Sequence, residues 1–163
     1  RVAREALAQV RAALTGIRAA GIAAELVSAK LLLETDGIGF DAAAAVRTLE
    51  HGLQDSGALP ASVESALALT LREAVTNIQR HAHARTARVE FAIEAGEAVL
   101  RIVDDGRGGA ISPGNGLSGM RERIEALGGR LRIDSRKGEG TRLEIRVPLA
   151  NHAADLTIEE VQA

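Results

Sequence analysis

Leu71-Arg72-Glu73-Ala74-Val75-Thr76-Asn77-Ile78-Gln79-Arg80-His81 is the stretch on which the reading of this chain turns. It lies inside a helix expected over Ala61–Ala82, where Val63, Leu67, Leu71, Ala74, Val75 and Ile78 recur at helical spacing and make one buried stripe. At about 100° per residue, Glu73, Asn77 and Arg80 fall within roughly 60° of one another on the border of that stripe. The strip therefore holds an acid, an amide and a cation, one turn apart, at the edge of a core. A carboxylate there can orient water or accept a proton, an amide oxygen can ligate Mg2+, and an Arg can hold phosphate. The solvated face of an ordinary amphipathic helix would show the same residues, and the helix alone does not separate the two readings. Pro60 and Ser62 mark its start, with Ser62 expected as the N-cap.

Beyond His81 the apolar period changes to two. Val89, Phe91 and Ile93 alternate with charged neighbours in one half-buried strand, Ala95-Gly96 reads as a hairpin turn, and Ala98–Val103 is the returning strand. Asp104 shares a face with Leu100 and Ile102. A glycine-rich loop follows, then a helix over Leu117–Leu127 with Leu117, Met120, Ile124 and Leu127 inward, stopped by Gly128-Gly129. A second hairpin pairs Leu131 and Ile133 with Leu143, Ile145 and Val147 through Lys137-Gly-Glu-Gly140.

Upstream, Ala3, Leu7, Val10, Leu14 and Ile17 form a short coiled-coil-like seam, equally compatible with an amphipathic helix docked on its own domain. A second helix is expected from Ile22 to Thr35, and a short strand around Ile38 and Phe40. Residues Ala42 to Leu49 read equally as continued strand or helix, Gln54–Gly57 reads as a loop, and the tail from Asn151 is polar. Hairpins apolar on one face need helices to cover that face. The expected fold class is α+β: a two-layer α/β sandwich with a mixed, largely antiparallel sheet, preceded by a helical segment. The expected divisions are 1–20, 21–150 and a flexible tail 151–163.

Composition narrows the function classes. Phe40 and Phe91 are the only aromatic residues, so no stacking platform for single-stranded nucleic acid exists. The formal charge is −2, with no basic patch suited to DNA. Without cysteine there are no disulfides and no thiolate metal sites, which fits a reducing compartment. No apolar run reaches membrane-spanning length. The chain opens at Arg1, inside helical periodicity, as expected of a piece of a longer protein.

Asp104, at the end of a strand on the covered face, is the sharpest single residue. A buried carboxylate is costly unless something pairs with it. An amino group on a ligand would serve, and adenine offers one; a turn held by the Asp is the alternative. Gly106 and Gly108 permit either close approach to a flat ligand or a tight turn. Gly114-Asn-Gly116 precedes a helix N-terminus, where free N–H groups favour anions. Gly114-Asn-Gly-Leu-Ser-Gly119 matches G-x-G-x-x-G, but the glycines do not follow a strand directly, so a dinucleotide-binding unit is rejected. His81 and His83 are two apart and do not share a helix face, which argues against zinc.

Taken together, Leu71–Ala84 resembles the N box of the GHKL ATPase superfamily (gyrase, Hsp90, histidine kinase, MutL), and Val103–Gly109 resembles its G1 box. Gly114-Asn-Gly-Leu-Ser-Gly-Met-Arg-Glu-Arg123 looks like the G2 box, and Gly138-Glu-Gly-Thr141 like the last glycine box. The wording is similar to that of DesK/NarX-type sensor histidine kinases, over residues 60–149 closely and 1–59 loosely. The resemblance implies a Bergerat-type fold and an ATP site with Mg2+. Asn77 would hold the metal and Glu73 would be the acid or base near the γ-phosphate. Arg80 and His81 would line the phosphate side. Asp104 would take the adenine amino group, with Gly106 and Gly108 against the base. Gly114, Gly116 and Leu117 would frame a lid, Arg107 to Asn115, and Thr141 would sit near the adenine.

The implied partners are a dimerisation and phosphoacceptor domain and a response regulator, in a homodimeric parent whose kinase part is cytoplasmic. No nucleic acid and no direct membrane contact are expected. No His precedes His51. The chain thus lacks the usual acceptor on a dimerisation helix, whose sister helix would end near Ala20. A serine kinase of the anti-sigma-factor type and a degenerate nucleotide-binding or interaction module are the alternatives.

Overall fold

A computed structural model describes residues 20–52, 59–109 and 116–150. The seam from Ala3 to Ile17, the loop Gln54–Gly57, Gly114 and Asn115 with most of the expected lid, and the tail lie outside the described residues. In chain order the elements are α1 (Ala20–Thr35), β1 (Gly39–Asp41), α2 (Ala43–Arg47) running into a π-helical turn Thr48–Gly52, and α3 (Ala61–Asn77) running into a π-helical turn Ile78–Ala82. Then follow β2 (Thr86–Glu94), β3 (Glu97–Asp104), α4 (Leu117–Ala126), β4 (Arg130–Arg136) and β5 (Gly140–Pro148).

The stripe on α3 is buried as the periodicity requires: Val63, Leu67 and Leu71 have no exposed surface. Burial of such a side chain contributes about 1.5–3 kcal/mol, which outweighs the few tenths by which β-branched Val75 and Thr70 disfavour a helix. The Thr70 hydroxyl, also buried, donates to the Ala66 carbonyl at 2.8 Å. The helix begins differently from expectation. Its N-cap is Pro60, with φ −55° and ψ 137°, and no side chain caps the first turn. Ser62 is already inside the helix. The ambiguous stretch after β1 is helical, because Asp41 Oδ1 accepts the Ala43 N–H at 3.0 Å and Ala45 and Leu49, one turn apart, are both buried.

Helix α1 lies beside α3 and runs the same way. The Gly21 N–H donates to Glu64 Oε1 at 2.6 Å, and one turn on Glu25 pairs with Arg72. A Cβ on Gly21 would come within 3.2 Å of that carboxylate, so the glycine lets the helices approach.

The sheet has five strands in the order β1-β2-β3-β5-β4; β1 is parallel to β2 and the other pairs are antiparallel. Ala95 and Gly96 have φ of 50° and 77°, so a type I′ turn joins β2 to β3. Helix α4 ends as its two glycines dictate, with Gly128 N–H on Glu125 and Gly129 N–H on Ile124 at 2.9 and 3.0 Å. Inward residues form rows across the sheet. Phe91, Leu100, Ile145 and Leu131 make one, and Val89, Ile102, Leu143 and Ile133 the next. The third row is Ala87, Asp104, Thr141 and Ser135. The opposite face is a charged ladder: Arg101 grips Glu94 with both Nη atoms at 3.0 Å and Glu144 with Nε at 2.9 Å, and Arg146 joins Glu144 and Glu94.

Candidate functional site

The third row breaks the apolar pattern where it leaves the core. The cavity floor combines Asp104, Thr141 and Ser135 with Ile102 and Leu143 of the row behind. Helix α3 and its π turn supply the facing wall through Ala74, Asn77, Ile78, His81 and Ala82; Leu117 opens α4 at one side and Arg107, Gly108 and Gly109 stand at the other. The enclosed space is about 190 Å³, against roughly 10–15 Å³ for one water molecule.

Asp104 is 7% exposed, and its Oδ1 accepts the Gly106 N–H at 2.8 Å. Burial pushes its carboxyl above the ordinary carboxylate range. The N–H groups of Gly106 and Thr141 oppose that rise, and the neighbouring Asp105 charge adds to it. No cation pairs with it among the described residues. The Asp104–Gly106 bond, from a side chain to the N–H two residues on, closes a turn at Asp104 itself, while Asp105 ties the loop to the start of β2, its Oδ1 accepting the N–H groups of Arg85 and Thr86, both at 2.8 Å. These N–H groups hold the Asp105 carboxyl below its ordinary range. Asp104 thus combines the two roles left open by the sequence, a local turn and a buried acceptor. It is a buried, cation-free acceptor in a cavity of mixed apolar and polar lining, suited to an amine donor.

The glycines hold the loop that carries this residue. A Cβ on Gly106 would lie 2.2 Å from the Ala82 carbonyl oxygen, which also accepts the Arg107 N–H at 2.7 Å. At Gly140, with φ 80°, a Cβ would lie 2.0 Å from the Asp104 carbonyl oxygen; at Gly108, with φ 55°, it would meet Arg136 at 2.1 Å. The Arg107 carbonyl accepts the Gly138 N–H at 2.6 Å. The loop after β3 is therefore clamped between the π turn and the β4–β5 hairpin, backbone against backbone.

Of the residues singled out from sequence, Asn77, His81, Asp104, Gly108, Leu117 and Thr141 line the one cavity. Glu73, Arg80, Gly106 and Gly116 stand outside its wall, and Gly114 lies outside the described residues. Arg80 is exposed. Glu73 faces α4 instead: Oε1 accepts from Arg123 Nη2 at 3.4 Å, and a Cβ on Gly116, the α4 N-cap with φ 77°, would lie 3.1 Å from Oε2. Sequence reasoning passed over Ser135, whose hydroxyl lies 2.7 Å from that of Thr141, and Arg107 as a wall residue. Period-two counting from Leu131 through Ile133 reaches Ser135; no sequence signal turns the Arg107 side chain toward the cavity. Among the described residues no group of three His, Asp or Glu forms a metal cage. A single amide oxygen from Asn77 suits Mg2+, which takes few protein ligands and leans on phosphate oxygens.

Residues 62–151 match the family model of the histidine kinase-, DNA gyrase B- and HSP90-like ATPases. The chain belongs to this family. Its curated relatives include the sensor histidine kinase DesK of Bacillus subtilis (strain 168), 33% identical over 150 residues, spanning 90% of this chain and 38% of DesK. The sensor histidine kinase YvfT of the same strain is 30% identical over 152 residues, 92% of this chain and 38% of YvfT. The chain thus spans about two-fifths of these relatives. Among solved structures, the Erythrobacter litoralis EL346 blue-light activated histidine kinase superposes with a TM-score of 0.59 at 18% identity, over 84% of this chain and 49% of that one. Acinetobacter baumannii AdeS gives 0.56, also at 18%, over 82% and 65%. Both have the fold of this ATPase domain. Among the described residues no helix is long and apolar enough to cross a membrane.

Proposed function

We propose that this ATPase domain binds Mg-ATP and donates its γ-phosphoryl group to a histidine on a dimerisation domain of the same parent protein, for relay to a response regulator. The observation that carries the reading is the buried, cation-free Asp104 carboxylate in a cavity whose other wall presents Asn77 and His81. Adenine satisfies Asp104 through its amino group, with Thr141 and Ser135 beside it, and its ring lies against Ile102, Leu143 and Ile78. The triphosphate leads toward Asn77, His81 and Arg80, and Asn77 holds the Mg2+ that neutralises phosphate charge. Glu73, one turn before Asn77, takes the proton released as the acceptor nitrogen bonds phosphorus and the bond to the β-phosphate oxygen breaks. Positioning and charge neutralisation supply most of the rate. A homodimeric parent with its kinase part in the cytoplasm fits this role. No observation favours a serine acceptor or a degenerate module.

Calorimetric titration of Mg-ATP tests the reading, since the chain has neither Trp nor Tyr to report by fluorescence. The parent chain binds; Asn77→Ala loses mainly the Mg2+-dependent part of the affinity. Transfer of labelled phosphate to a separately supplied histidine-bearing hairpin then follows from the parent and fails from Asn77→Ala. A folded chain that binds no nucleotide sinks the proposal.

A further inference from the structure

The contact between α3 and α4 contains an unusual pair of atoms. Glu73 Oε2 and Arg123 Nη1 are both buried, and neither has a hydrogen-bond partner among the described residues. They belong to two side chains that already touch, through Oε1 and Nη2 at 3.4 Å, a long and single contact where a guanidinium and a carboxylate ordinarily make a two-pronged fork. Buried polar atoms without a protein partner are costly, and here they belong to side chains that keep 29% (Arg123) and 34% (Glu73) of their surface exposed. The Gly116 backbone closes against Oε2, and the absence of a Cβ there leaves room for the carboxylate. Glu73 is thus held by a charge on α4 rather than by its own helix. It sits beside the first residue of α4, one turn from Asn77 in the cavity wall.

We propose that Arg123 is a positioning residue for the Glu73 carboxylate. The guanidinium fixes the acid at the α3–α4 junction, one turn from Asn77, through its contact to Oε1. Neither Arg123 nor Glu73 lines the cavity wall; the contact Arg123 makes is with Glu73, and it acts through that carboxylate. This rests on the phosphoryl-transfer reading above, so transfer by the parent chain is established first.

The test is a double-mutant cycle on transfer to a histidine-bearing hairpin, with Glu73→Gln, Arg123→Met and both together, alongside the ATP affinity of each folded variant. Arg123→Met is expected to lower kcat at least tenfold with KM for ATP changed less than twofold. In the Glu73→Gln background the same substitution is expected to cost nothing further. Arg123→Lys, which keeps the charge but loses the planar fork, is expected to recover part of kcat and serves if Arg123→Met does not fold. Equal loss from Arg123→Met in both backgrounds, a rise in KM with kcat intact, or no loss at all each overturns the proposal. An inactive, non-binding parent chain refutes the transfer reading instead.

Discussion

Asp104 and Glu144 sit on neighbouring central strands, on opposite faces of one sheet, and their surroundings drive them in opposite directions. On the covered face, burial raises the Asp104 carboxyl with only backbone N–H groups in opposition. On the open face, the guanidinium groups of Arg146 and Arg101 hold the Glu144 carboxyl down at about 2. Glu94, Arg101, Glu144 and Arg146 satisfy one another on this open face. The covered face leaves one charge for something else to satisfy. A carboxylate raised by burial weakens the empty fold at neutral pH, whereas one lowered by cations strengthens it. The site and the scaffold can therefore be told apart by the sign of the perturbation.

The largest effect expected from breaking this contrast is at Asp104. In Asp104→Asn, calorimetry should show Mg-ATP affinity falling about ten- to a hundredfold, the loss of a charge-assisted hydrogen bond of about 1.5–3 kcal/mol. The melting temperature of the nucleotide-free chain should be unchanged or higher, because the cost of burying the charge is gone. A variant that binds normally, or one that melts much lower, would erase the distinction between the faces. Next is Arg101→Met, which strips Glu94 and Glu144 of a shared partner. Arg101 is only 17% exposed, so the loss should exceed that of a surface pair. It should be about 1–2 kcal/mol in denaturant unfolding, with nucleotide affinity untouched.

The smallest effect is in the acid limb. The Glu144 contribution is complete above the ordinary glutamate range near about 4.3 and should fade as pH falls toward about 2. The Asp104 contribution has the reverse sign, present in acid and lost as pH rises through its raised value. Glu144→Gln should flatten unfolding free energy against pH below the ordinary range, and Asp104→Asn should flatten it above.

The parts of the fold visible in sequence were those with a local period. The α3 stripe, the Ala95-Gly96 turn and the alternation through Leu143, Ile145 and Val147 each announce themselves within a few residues. The candidate site was legible at Asn77 and Asp104 from period and motif wording together, and at His81 and Thr141 from motif wording alone. It was not legible where distant backbones decide. Gly106, which the resemblance sets against the base, closes on Ala82, and Gly140, read as part of a hairpin turn, closes on the Asp104 carbonyl. Ser135 becomes a site residue only because strand register sets it opposite Thr141. Ser62 looked like a cap by type, but Pro60 holds that position. The extra width of the helix at Ile78–Ala82 has no periodic signature at all.

The bonds joining α1 to α3 have a mechanical meaning. Two fixed points, Gly21 to Glu64 and Glu25 to Arg72, sit one turn apart on α1 and about two turns apart on α3, helices running the same way. Two such rivets turn a pair of rods into a beam. A displacement of α1 near residue 20 would be felt at Glu64 and Arg72, on the helix that bears Asn77.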